Sequence, residues 1–283
     1  MQSHNTTWTE EIKSNTSLWS VNYKEIWQYR DLLLMLVKRD FITFYKQTIL
    51  GPIWFFVQPI LTTTIYVVLF GQIAKLSTDG LPQMPFYLAG ITIWNYFSES
   101  LSKTSTVFKD NASVFGKVYF PRLIMPLAIV VSGLMKFLIQ FGLFIAVVIY
   151  FAFVRNNIHP NIWILATPYL IFLMAGFAMG LGMIFSSLTT KYKDLVFLLS
   201  FGIQLFMYVT PVVYSIKSIP QKYQWIVQAN PLTGIFECFR YAYLGSGSFK
   251  PFSLIVSTGI ISVLVFIGIL IFNKVEKSFM DTV

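Results

Sequence analysis

Residues 123–153 read LIMPLAIVVSGLMKFLIQFGLFIAVVIYFAF, a run in which Lys136 is the one charge. About 20 apolar residues in a helix cross a hydrocarbon core of ~30 Å, so this run is long enough to do so with turns to spare. Comparable stretches lie on both sides of it, at residues 53–74 and 86–107 before and 162–188, 195–216 and 252–272 after. Together they use up nearly the whole chain. The expected fold class is therefore an all-α integral membrane protein with six transmembrane helices. Composition agrees: 55% of residues are hydrophobic and 12% charged, with mean hydropathy +0.65. A soluble domain carries about twice that charge.

Orientation follows from the lysines and arginines. An even number of spans puts both termini on one side, and residues 1–20 are polar with no apolar core, which predicts neither a signal peptide nor an N-terminal anchor. With the N-terminus in the cytoplasm, fourteen of the 21 basic residues fall on inner segments and six on outer ones, leaving Lys136 within a span. This is the bias of the positive-inside rule. Topology and anionic headgroups thus account for the net charge of +9 without a nucleic acid partner. Cys238, the single cysteine, has no internal disulfide partner.

Three segments outside the spans carry pattern of their own. Residues 23–46, after a polar tail at 1–22, alternate charges including Arg30, Lys38 and Arg39 with apolar residues such as Trp27. That predicts an amphipathic helix in the headgroup plane or packed on a soluble partner. Between the second and third spans, residues 110–118 read as a short helix with Asp110 and Asn111 at its start and Gly116 at its end. Lys109, Ser113, Val114, Phe115 and Lys117 make it a candidate contact for a cytoplasmic partner, or simply a turn. Residues 220–245 precede the last span. There Asn230-Pro231 marks a helix start and Gly245 a stop, and Glu237 and Arg240 are spaced to pair. Such a helix is too polar to cross, and is expected to dip into the outer leaflet.

The chemistry available is narrow. No G-x-x-x-x-G-K-[ST] string occurs, so ATP hydrolysis is not expected of this chain. His4 and His159 are isolated, so no catalytic metal cluster is expected. A membrane enzyme acting on a lipid-linked sugar needs a base near the headgroups, and Glu99 is the one carboxylate clearly inside a span. It can pair with Lys103 or Lys136, either as a structural ion pair or in transport. Aromatic side chains are plentiful, and Trp54, Phe55, Phe56, Trp94, Tyr96, Phe97, Phe206, Tyr208 and Tyr214 are candidates to line a path for sugar rings.

Several strings have a recognisable order: YKQTILGPIWFFVQP at 45–59, GLPQMPFYLAGITIWNYF at 80–97, NASVFGKVYFPRLIMPL at 111–127, TTKYKDLVFLLSFGIQLFMYVTPVVYS at 189–215, NPLTGIFECFRYAYLG at 230–245 and NKVEKSFMDTV at 273–283. In that order they resemble the permease subunit of type-2 ABC exporters, in the branch that exports O-antigen, capsule or teichoic acid. The resemblance implies a permease domain over 47–283, forming a homodimer in the bacterial inner membrane. Two copies of a separate ATPase would bind ATP and magnesium, this chain would bind no cofactor, and the cargo would be a lipid-linked glycan. It also implies that 23–46 is the interface helix, 110–118 the coupling helix, 220–245 the outer gate helices, and that the aromatics of the first, second and fifth spans line the channel. A related permease for a small amphipathic drug or lipid is the competing expectation.

Overall fold

The computed structural model describes residues 23–46, 51–115, 117, 119–247 and 249–279, and every regular element among them is a helix. The tail at 1–22 and Gly116, the expected stop of the coupling helix, lie outside the described residues. Two helices, α1 (Tyr23–Gln28) and α2 (Arg30–Lys46), precede the first apolar stretch. Then α3 (Trp54–Tyr66) continues as a π-helix over Val67–Ile73, and α4 (Gln83–Ser105) returns to the short helices α5 (Val107–Asp110) and α6 (Ala112–Phe115). The third stretch is α7 (Ile124–Ile149) with a π-helical end at Tyr150–Val154, and the fourth is α8 (Thr167–Lys191). After α9 (Leu195–Val209) come α10 (Gln221–Ala229), α11 (Pro231–Leu244) and α12 (Pro251–Phe279).

Among the described residues, four segments are helical, long and apolar enough to cross a membrane: Gly51–Ile73, Ile124–Val154, Ile162–Lys191 and Pro251–Val275. The other two expected spans differ for physical reasons. Helix α4 has 23 residues but is more polar, because one face carries Asn95, Ser98, Glu99 and Ser102. Helix α9 has 15 residues and ends seven residues before the expected 216. Pro211 pushes the residue before it out of the α region, and Thr210 has ψ 139.

At the centre of the bundle stands α8, packed along α12 on one side and α4 on the other. Over half of its apolar window, 56%, is buried, against 17–22% in the other three crossing segments, whose remaining apolar side chains are left for lipid or a partner. Glycines set its close approaches. A Cβ on Gly268 of α12 would lie 2.5 Å from the carbonyl oxygen of Gly180, and one on Gly182 would lie 2.5 Å from Thr104 Cβ of α4. Backbones meet this closely in membrane bundles where small residues allow it.

Helix α11, expected to be re-entrant or to lie on the surface, is packed inside the bundle. Apart from Pro231 and Tyr241 it is buried along its whole length, wedged among α4, α8 and α12, with Phe239 and Tyr243 against Phe144 of α7. Its ends are those the sequence predicts: Asn230 Oδ1 accepts from Leu232 N–H at 2.9 Å, and Gly245 adopts φ 77. The burial of Arg240 is tolerable because the segment after α9 supplies carbonyls to its guanidinium. Helix α10 is instead mostly exposed, with Val227 buried.

Candidate functional site

Helices α3, α4, α7 and α9 surround a cavity of about 420 Å³. Its lining is mostly polar: Gln58 from α3; Asn95, Ser98, Glu99 and Ser102 from α4; Lys136 and Gln140 from α7; Ser200 and Gln204 from α9, with Phe55 and Ile203 as apolar members. The spacing explains the convergence. Positions 95, 98, 99 and 102 lie on one face of a helix, as do 136 and 140, and 200 and 204. Glu99 gathers the charges. Its Oε1 accepts from Lys103 Nζ at 2.8 Å, one turn along α4, and from Lys136 Nζ across the α4–α7 contact. Nearby, Asn95 donates to Gln140 Oε1 at 3.4 Å. Of these three groups Glu99 and Lys136 line the cavity, one of each sign.

A second polar knot lies at the end of the bundle that carries α10 and α11. Arg240 is 2% exposed and donates to the carbonyls of Val212 and Tyr214, the latter at 3.2 Å, with its guanidinium 3.8 Å from the centre of the Phe86 ring. Burial presses its pKa down to about 10, while Glu237 and Asp79 favour the charged form, so it stays protonated at neutral pH. It thereby pins the turn after α9 against α4 and α11. Asn230 also donates to Thr210 Oγ1 at 2.8 Å, a second tie between that turn and α11.

The opposite end carries the expected coupling segment. Two short helices replace one: Asn111 donates its side-chain amide to Val107 O at 3.0 Å, and Thr106 Oγ1 donates to Asp110 at 2.6 Å. Lys109, Asp110, Ser113 and Lys117 are exposed, whereas Val114 is half-buried. Phe115, a candidate contact by sequence, is instead buried, because its ring packs on Phe108 and Phe120 under Arg122. The same apolar cluster takes in Leu36 and Val37 of α2 and Phe272 of α12. Helix α2 is thus tied to α5 and α6 through a shared core. Trp27 of α1 and Arg30, Lys38 and Arg39 of α2 face outward, with Arg30 over the Trp27 ring and Arg39 paired with Asp40 at 2.8 Å.

The aromatic candidates scatter. Phe55 lines the cavity. Trp94, Tyr96 and Phe97 are buried in ring contacts with one another's neighbours Phe137, Phe177 and Phe206. Trp54, Phe56 and Tyr208 are exposed on the outside of the subunit, and Tyr214 donates its hydroxyl to the carbonyls of Tyr208 and Val209. The polar residues Gln58, Asn95, Ser98, Ser102, Gln140, Ser200 and Gln204 were not singled out from sequence. Their signal is the three- and four-residue spacing of amides and hydroxyls within apolar stretches.

Residues 31–244, which contain the cavity, the α5–α6 segment and α11, match the model of the family described as ABC-2 type transporter. The chain belongs to that family. Among its relatives, the O-antigen export system permease protein RfbA of Klebsiella pneumoniae is 30% identical over 252 residues, covering 89% of this chain and 94% of its own. RfbA of Myxococcus xanthus is 26% identical, covering 77% and 82%. The capsule polysaccharide export inner-membrane protein CtrC of Neisseria meningitidis is 26% identical, covering 74% and 78%. As an ABC-2 permease the chain is a transport subunit of a multi-pass membrane protein family in which the ATPase is a separate chain.

Proposed function

We propose that this chain is the permease subunit of an ATP-driven exporter that moves a lipid-linked polysaccharide of the O-antigen, capsule or teichoic acid type across the bacterial inner membrane. One observation carries the proposal: relatives named for O-antigen export align over 89% of this chain and 94% of their own length. The cavity chemistry fits, since amides and hydroxyls both donate to and accept from sugar hydroxyls, and Phe55 offers a ring face.

In this proposal α4 and α9 complete six spans, and both termini are cytoplasmic. Two copies of the chain pair, and each docks a nucleotide-binding subunit that holds ATP and magnesium, with no cofactor on the permease. The exposed Lys109, Asp110, Ser113 and Lys117 meet that subunit beside Trp27, Arg30, Lys38 and Arg39. Hydrolysis moves α5 and α6, and their shared core with α2 and α12 carries the motion into the bundle. At the outer end Asn230, Pro231, Glu237 and Arg240 belong to the gate. The test is purification of the chain with the ATPase produced from the same organism, followed by reconstitution. Hydrolysis that depends on this chain and rises with a lipid-linked glycan is the expected result, and failure of any ATPase to co-purify overturns it.

A further inference from the structure

Resting on the exporter reading, we propose that the polar cavity is a subsite for one uncharged sugar unit of the cargo, held by the side-chain amides of Gln58, Asn95, Gln140 and Gln204. These amides come one from each of the four surrounding helices. Gln140 is 8% exposed, and its oxygen accepts from Asn95 at 3.4 Å, a bond that leaves its Nε2 to the cavity. The side chains of Gln58 and Gln204 make no hydrogen bond among the described residues. An amide without a partner inside an apolar bundle is costly, and a guest rich in hydroxyls removes that cost. Sugar hydroxyls and amides each donate and accept, so the two match.

Charge decides the class of sugar. The lining holds one carboxylate and one ammonium, Glu99 and Lys136, which bond each other, while Lys103 reaches Glu99 from outside the lining. Opposite signs in equal number offer a charged guest no net compensation for the water it loses, a cost that an uncharged guest does not meet. Size agrees, since about 420 Å³ falls within the ~300–1,000 Å³ of small-ligand sites. Depth agrees as well. Ser102 and Ser200, nearest the ends of α4 and α9 on the α5–α6 side, are exposed. Asn95 and Gln140 lie about one turn beyond Glu99 and Lys136, four residues away in each helix. Past them the helices meet through apolar groups: Phe206 and Trp94 have ring centres 6.2 Å apart, and Tyr66 of α3 donates to Met207 Sδ of α9 at 3.7 Å. A sugar unit entering from the cytoplasm therefore stops at the amides.

The test uses the full-length chain in nanodiscs without ATPase and follows methyl glycosides of glucose, mannose, galactose and rhamnose by saturation-transfer NMR, with glucuronate and glucosamine as charged probes. At least one uncharged glycoside is expected to bind, and neither charged sugar to compete with it. Gln140→Leu and Gln204→Leu each weaken binding about tenfold, as loss of one hydrogen bond together with the group left unpaired implies. Gln204→Glu admits glucosamine, a change of class that altered packing alone does not produce. Should Gln140→Leu not fold, the exposed Gln204 still decides. No glycoside bound, glucuronate bound as well as its uncharged counterpart, binding indifferent to both Gln204 variants, or displacement by polyprenyl phosphate overturns the proposal. If hydrolysis in the reconstituted complex answers to lipid-linked glycan while no glycoside binds the chain, the exporter reading stands and the sugar subsite falls. Glycoside binding that depends on Gln204 in a chain that recruits no ATPase sinks the exporter reading alone.

Discussion

Val212 O is where two residues of different elements meet. Arg240 of α11 donates to it, and a Cβ on Gly90 of α4 would lie 2.4 Å from it and 3.0 Å from Arg240 Nη2. Arg240→Met leaves two backbone carbonyls without their charged donor, and is expected to lower stability by about 2–4 kcal/mol. Gly90→Ala drives a methyl into the same carbonyl, at a cost of about 1–3 kcal/mol by overpacking. Because both act on one contact, the double variant should cost less than the sum. Denaturation in detergent of the four proteins measures this, and additivity would show that the turn is held elsewhere. At this scale the sequence exposes charge more readily than direction. Glu99 stands out as a carboxylate inside an apolar stretch, but which of Lys103 and Lys136 it meets depends on how α4 and α7 cross, and the structure brings both to it. Aromatics drew attention through abundance, yet abundance does not say which rings pack: Trp94, Tyr96 and Phe97 fill the core.

Helix–helix crossings turn on glycines that look alike in sequence. Gly268 of α12 meets the Gly180 carbonyl so closely that an added Cβ would lie 2.5 Å from it, whereas nothing stands within 4 Å of a Cβ at Gly259 in the same helix. Gly268→Ala is therefore expected to splay α12 from α8 and destabilise by about 1–3 kcal/mol. Gly259→Ala should be neutral or gain up to about 1 kcal/mol from helix propensity. Thermal unfolding in a fixed detergent separates them, and equal effects would refute the crossing. Element ends obeyed local chemistry: Asn230 and Pro231 start α11, Gly245 ends it, and Pro211 stops α9. How deeply α11 is buried was not legible locally, because Asp79, Val212 and Tyr214, which favour a charged Arg240 there, come from other segments.

For the whole molecule, the burial of the one native cysteine makes orientation testable with introduced ones. Cys238 is fully buried in α11 and is the single cysteine of the chain, so a bulky membrane-impermeant maleimide should leave the folded wild-type protein unlabelled. Ser113 in α6 and Ser218 after α9 are both exposed, at opposite ends of the bundle. The charge bias predicts Ser113 in the cytoplasm and Ser218 outside. Ser218→Cys is thus expected to react in spheroplasts, where only the outer face is accessible, and Ser113→Cys only in inverted vesicles. The same pair separates two ways in which the exporter reading could fail. Ser113→Cys protected in inverted vesicles by co-expressed ATPase, and reactive without it, locates the nucleotide-binding subunit on α6. Ser113→Cys labelled in spheroplasts would put α5 and α6 on the side without ATP, and no arrangement of a cytoplasmic ATPase could then drive the chain through them.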